Sequence, residues 1–325
     1  MSDMPADQNV DRRQFLSRVG AIAGAGALGL AAPGIVKAGL PTRHTGEAVK
    51  ELHASLSDSQ KKVLCLPLNH KKRSQISPNW NITEPTLGED FYSKAQRELA
   101  SRVLKSLCSE DGYKRFLKQM DDDSGGIDDY SMAFFGEPGS DGFQWEFTGR
   151  HVTLRADGDR NDRLAFGGPI VYGHGEEGKA SDNLFFYQTK QVNKVFGALE
   201  GKQRQQAMIA KAPREADVRI QGDKGRFRGI QVGQLSADQK ALVTDSLRVL
   251  MAPFRAEDIQ EAMWVLLENG GIDKLHMAFS SEGDLQNDKT WDVWRIEGPS
   301  FVWNFRGAPH VHAYLNIGRA TPKSA

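Results

Sequence analysis

Four of the eight histidines in this 325-residue chain fall where they could gather a metal ion. In HVHAYLN (310–316), His310 and His312 are two positions apart. On a strand both rings leave the same face about 7 Å apart, the spacing two imidazoles need to share one divalent ion. His151 stands in GRHVTLR, which reads as a strand, and His174 in YGHGEEG (172–178), a Gly-rich bend beside Glu176 and Glu177. A set of three or four imidazoles suits zinc, copper or iron better than calcium or magnesium. Three ligands and an open position would let such an ion activate water or dioxygen, which leaves hydrolysis and oxidation both open. The competing role for each ring is a polar contact with solvent or core.

Glu146 and Arg295 are the candidate catalytic pair. They occupy matching places in WEFTG (145–149) and WRIEG (294–298), and their opposite charges fit complementary roles in one site. Glu146 lies five positions before His151, so a regular strand points the two to opposite faces and only a bulge would bring them to one ion. A surface ion pair is the plainer reading of Glu146. No phosphate-binding glycine loop, GxSxG elbow or HExxH helix occurs in the chain.

These groups need elements to hold them, and the chain writes its elements twice. GGIDDYSMAF (125–134) returns as GGIDKLHMAF (270–279). Helix starts of the Ser-x-x-Gln kind are predicted at Ser57–Gln60, Ser93–Gln96 and Ser236–Gln239, with a near-match at Glu200–Gln203. Glu200 follows Ser57 by 143 residues, and Ser236 follows Ser93 by the same 143. The offset becomes 145 at GGID and 149 at the paired Trp145 and Trp294 segments, as small loop insertions produce. The copies run over roughly 47–175 and 190–318.

Each copy places helices first and strands after. Leu99, Val103, Leu104 and Leu107 share one helical face, as do Leu242, Leu247, Leu250 and Met251. Gly125-Gly126 and Gly270-Gly271 suit left-handed helix ends. SMAFFGEP, FQWEFTGRHVTLR, DVWRIEG and SFVWNFRG alternate as strands do, with turns at RADGDRND (155–162) and NFRGAP (304–309). Trp145, Trp291, Trp294 and Trp303 read as sheet-face core. The expected fold is α+β with internal duplication and pseudo-two-fold symmetry, each half a helical layer followed by an antiparallel sheet, and a cleft between halves as the ligand site.

The first 38 residues read as a leader for export. Arg12 and Arg13 precede Phe15 and Leu16 in twin-arginine fashion, and the apolar run from Val19 to Ala32 is too short for a stable span. Cleavage after Ala38 is expected, with a first repeat over 39–175 and a second over 176–325 forming one unit. A periplasmic or secreted location follows, and twin-arginine export of folded proteins favours a bound metal. Removing the four basic and three acidic residues of the leader from 42 of each leaves 38 and 39, a balance that favours no nucleic-acid or anionic-membrane partner. No later segment suits a bilayer. Cys65 and Cys108 are the only cysteines, and one bridge between them is possible.

The ordered set of a twin-arginine leader, LSDSQ…NW, AQRELASRVLKSLCSEDGY, FFGEP…WEFTGRH, WRIEGPSFVWNF and a terminal HVH resembles the bacterial family catalogued as domain of unknown function 3500. The resemblance implies a secreted or periplasmic protein and no established activity. Family members typically read GHH where this chain has Gly149-Arg150-His151, and an acid and NHxH where it has Trp303-Asn304 and Pro309-His310-Val311-His312.

The sequence therefore points to an exported metal-binding protein, with His310, His312 and one or both of His151 and His174 as ligands, acting as a metal-dependent enzyme on a small molecule. The alternative is a non-catalytic periplasmic module in which Arg295, Trp294 and Trp145 line a cleft for a small solute.

Overall fold

A computed structural model describes residues 43–140, 142–157, 165–175 and 178–319. The expected leader, most of the RADGDRND turn, Glu176 and Glu177 lie outside the described residues.

Helices α1 (Arg43–Ala54), α2 (Asp58–Leu64), α3 (Lys94–Leu107) and α4 (Glu110–Ser124) precede strands β2 (Ser131–Phe135), β3 (Gln144–Gly149), β4 (Val152–Asp157) and β5 (Ile170–His174). Helices α5 (Phe186–Ala198), α6 (Gly201–Ala207), α7 (Ala237–Met251) and α8 (Ala256–Glu268) precede β8 (His276–Ser280), β9 (Val293–Gly298), β10 (Phe301–Arg306) and β11 (Val311–Ile317). Short strands β1 (Cys65–Leu66), β6 (Met208–Ile209) and β7 (Ile230–Gln231) complete the set. Among the described residues no helix is long and apolar enough to cross a membrane.

The helix starts form where the local chemistry demands them. Ser57, Ser93 and Ser236 each accept from the backbone N–H three residues on, while the Gln at that position accepts from the serine's own N–H. Two donors left orphaned by the first helical turn are thus satisfied at once. Glu200 and Gln203 do the same for α6. The glutamines serve a second purpose, because Gln60 and Gln96 exchange amide hydrogen bonds of 2.9 Å, and Gln203 and Gln239 exchange bonds of 3.1 and 2.8 Å. Each reciprocal pair ties the start of a short helix to the start of a long one. Gly125 ends α4 at φ 87°, a left-handed conformation that costs glycine nothing.

Among the described residues, eleven strands join one mixed sheet in the order β1-β2-β3-β4-β5-β11-β10-β9-β8-β6, with β7 on β8. β1 runs parallel to β2 and β6 parallel to β8, and the remaining neighbours are antiparallel. Strand alternation sends Trp145, Phe147, Trp303, Phe305 and Leu315 to the face that the helices cover, where the main core lies. The opposite face is covered by two mostly irregular straps. Ile82 packs on Ala133 and Phe135, with Trp80 beside it, and Val218 packs on Val171, Val302 and Tyr314.

Irregular backbone laid on a sheet needs partners for its carbonyls, and buried arginines supply them. Arg155 donates to the carbonyls of Pro169 at 2.6 Å, Arg73 at 2.5 Å and Gln75 at 3.2 Å. Across the sheet Arg295 donates to Glu297 at 3.0 Å, Asn304 at 3.3 Å and the carbonyl of Asp217. Glu146, opposite Arg155 in register and 2.9 Å from it, is fully buried, so the expected surface pair is an interior one. Burial pushes its carboxyl up to about 8, against the pull of Arg155 and Arg73.

Cys65 and Cys108 are free thiols. Burial raises the Cys65 thiol to about 11 and raises that of Cys108 as well, so both behave as small apolar groups.

Candidate metal centre

At one end of the central strands, sheet register sets a row of residues side by side. Val293 pairs with Arg306, Arg306 with His312, and His312 with Gly173. The next ladder ends at Val152–Tyr172, so the residue one step beyond Val152 comes level with Gly173. That residue is His151. It lies not on a strand, as its sequence suggests, but in the two-residue turn between β3 and β4, at φ 57°. Left-handed backbone at a residue with a Cβ is uncommon and clusters at functional sites.

Glycine in the middle of the row lets the two histidines meet. A Cβ on Gly173 would lie 2.0 Å from the carbonyl oxygen of Val311 and 3.4 Å from Cβ of His151. Without it, the rings of His151 and His312 approach to 5.0 Å between centroids. His310, two residues before His312, brings its ring to 5.5 Å from His151 and 6.4 Å from His312. One ring nitrogen from each of His151, His310 and His312 lies within 4.8 Å of the other two.

Carboxylates fix two of the rings from behind. Nδ1 of His151 is 2.8 Å from Oδ2 of Asp123, and Nδ1 of His312 is 2.9 Å from Oε2 of Glu215. A carboxylate can only accept, so in the neutral ring the hydrogen sits on Nδ1 and Nε2 keeps its lone pair. Histidines that bind metals are characteristically oriented this way. Asp123 also accepts from Gln119 at 2.6 Å and from the backbone N–H of Gly175 at 2.7 Å. Burial pushes the Asp123 carboxyl up, but the bonds from His151 and Gln119 outweigh it and hold it below its ordinary value. Glu215 is likewise lowered, with burial opposed by His312 and Arg306.

Two of the rings are biased toward the neutral form. His312 is held below the ordinary imidazole value by burial, with Arg306 adding to that and Glu215 opposing. His310 is lowered by burial and then by His151, Arg150 and Arg306. Neutral imidazole is the ligating form. One contact competes, because Nη2 of Arg306 lies 2.7 Å from Nδ1 and 3.1 Å from Nε2 of His312.

His174 is not brought into this cluster. It ends β5 opposite Val311, and both its nitrogens are engaged, Nε2 with Asp122 at 3.0 Å and Nδ1 with the backbone N–H of Leu184 at 3.4 Å. Glu146 and Arg295 are not brought to it either. They lie further along the strands, beneath the straps. Asp123, Glu215 and Arg306 escaped the sequence reading. Glu215 has no local signature, but Asp121-Asp122-Asp123 in the last turn of α4 did carry one. Three acids at the negative end of a helix dipole oppose local preference, and such conflicts mark sites built for another purpose.

Among the curated proteins and the solved structures, none matches this chain. A family model described as a protein of unknown function (DUF3500) matches residues 38–317, with Asp123, His151, Glu215, His310 and His312 all inside the match. The chain belongs to the DUF3500 family of proteins of unknown function.

Proposed function

We propose that this is an exported metal-binding protein in which His151, His310 and His312 hold one divalent transition metal, zinc, copper or iron, and that it acts as a metal-dependent enzyme on a small molecule. The convergence of three ring nitrogens within 4.8 Å carries this reading. In a tetrahedral site with metal–nitrogen bonds of about 2.1 Å the nitrogens lie roughly 3.4 Å apart. The rings therefore draw in by roughly 1 Å, which small χ rotations provide. Three protein ligands leave a position for water or substrate, the arrangement of catalytic rather than structural zinc sites. Hydrolytic and oxidative chemistry both fit such a centre.

The site belongs to a duplicated architecture, with repeats over 39–175 and 176–325. Support comes from the strand order, in which β1-β2-β3-β4-β5 read inward from one edge matches β6-β8-β9-β10-β11 read inward from the other. Further support comes from the two glutamine pairs and from the ladders Cys65–Phe134 and Met208–Phe279 at matching places. In this reading the metal lies where the halves join through β5 and β11, with one ligand from the first copy and two from the second. Export is inferred from residues 1–38 of the sequence alone.

A second reading, a non-catalytic small-ligand binding protein, draws on the Arg306–His312 contact, since a guanidinium there occupies space a metal would need. Elemental analysis of untagged, exported protein beside the double variant His310→Ala, His312→Ala separates the two. Near one equivalent of a transition metal in the parent and none in the variant is expected. No metal in a well-folded parent sinks the metal centre and leaves the binding protein.

A further inference from the structure

Two arginines flank the three histidines, one on each side. Arg150 precedes His151 in the turn. Its Nε is buried without a hydrogen-bond partner, and the nearest carboxylate oxygen, Oδ1 of Asp123, is 3.8 Å away. Arg306 stands on the other side, in register with His312 and 3.1 Å from Oε1 of Glu215. Among the described residues, the carboxylates nearest these arginines are already engaged, Asp123 by His151 and Glu215 by His312. Arg150 and Arg306 offset Asp123 and Glu215 in formal charge, and imidazoles that ligate a metal add none. Among the described residues, a dication held by the triad would leave the pocket with two uncompensated positive charges, partly shielded from water. A ligand that brings negative charge removes that excess.

Geometry favours an oxyanion over a halide-like point charge. Arg150 offers a planar fork suited to two oxygens of one group, and its side chain is 41% exposed, so it is open to an incoming molecule. Glycine at 175 lets these groups crowd together: a Cβ there would fall 3.1 Å from Nη2 of Arg150, 3.1 Å from Cε1 of His151 and 2.4 Å from Oδ1 of Asp123.

We infer that the ligand of this centre carries a carboxylate or phosphate group, held between the metal and the guanidinium of Arg150, which makes Arg150 the residue that selects for the anion. The inference rests on the metal reading above. Titration calorimetry tests it on zinc-loaded protein whose metal content is measured in every sample, with inorganic phosphate and acetate as probes. One probe is expected to bind once per metal. Arg150→Ala should keep full zinc and weaken that binding at least tenfold, and Arg150→Lys, which keeps the charge without the fork, should fall between. Phosphate binding without acetate, or the reverse, identifies the group. Full zinc content with neither probe bound, or with Arg150→Ala binding as tightly as the parent, overturns the anion assignment and leaves the metal centre standing. A parent that takes up none of zinc, copper and iron overturns both.

Discussion

Oδ2 of Asp123, in the last turn of α4, lies 2.8 Å from Nδ1 of His151, in a turn on the sheet, and both side chains are almost wholly shielded from solvent. The contact spans 28 residues of chain and couples the helical layer to the strand-end row. It sets the ring's tautomer, with the hydrogen on Nδ1 and the lone pair on Nε2.

Asp123→Asn keeps the shape of the side chain and removes the carboxylate that anchors the Nδ1 hydrogen. Metal affinity, read by competition with a chromophoric chelator, is expected to drop roughly 10–100-fold while the thermal midpoint changes little. Unchanged affinity would show that the carboxylate does not orient a ligand.

Gly173→Ala drives a methyl group into the carbonyl of Val311, 2.0 Å from where the new Cβ would stand. Backbone on both sides cannot yield easily, so urea unfolding should show a loss of roughly 2–3 kcal/mol or more, together with loss of metal. A variant with the parent's midpoint and metal content would mean that β5 and β11 are not in this register.

Glu146 gives a pH signature separate from the metal site. Its carboxyl titrates near 8 when folded against about 4.5 in the unfolded chain, because burial disfavours the charge. Stability linked to this proton is fully present below pH 4.5 and is lost as the pH rises through 8. The loss is on the order of a few kcal/mol. In Glu146→Gln, the fall in stability between pH 5 and 8 should be shallower than in the parent. Arg155 keeps its three carbonyl acceptors in that variant, so the substitution should cost little at pH 8. Arg155→Ala should cost about 3–5 kcal/mol above pH 8, since it frees the strap and strands a buried carboxylate, and less at pH 5, where that carboxyl is neutral. Parallel pH curves for the parent and Glu146→Gln would show that Glu146 is ionised throughout.

Export is checked on the full precursor. Arg12→Lys with Arg13→Lys should retain the protein in the cytoplasmic fraction, whereas the parent reaches the periplasm or medium. Equal distribution of the two would remove the twin-arginine assignment.

Much of the architecture was legible in the sequence because it is set by short-range chemistry. A Ser-x-x-Gln start closes within one helical turn, a Gly at a helix end is required by one dihedral angle, and alternation assigns Trp145 and Trp303 to the core face residue by residue. The spacing of His310 and His312 on one face is of the same kind. What the sequence could not supply is which distant groups meet them. His151 joins the pair because the β5–β11 register places Gly173 between it and His312, and that register depends on the packing of whole layers. The same long-range packing aims Asp123 and Glu215 at the backs of the rings, turns His174 toward Asp122, and carries Glu146 and Arg295 beneath the straps. Local pattern names the ligand types, and only the pairing of strands far apart in the chain decides which of them share a site.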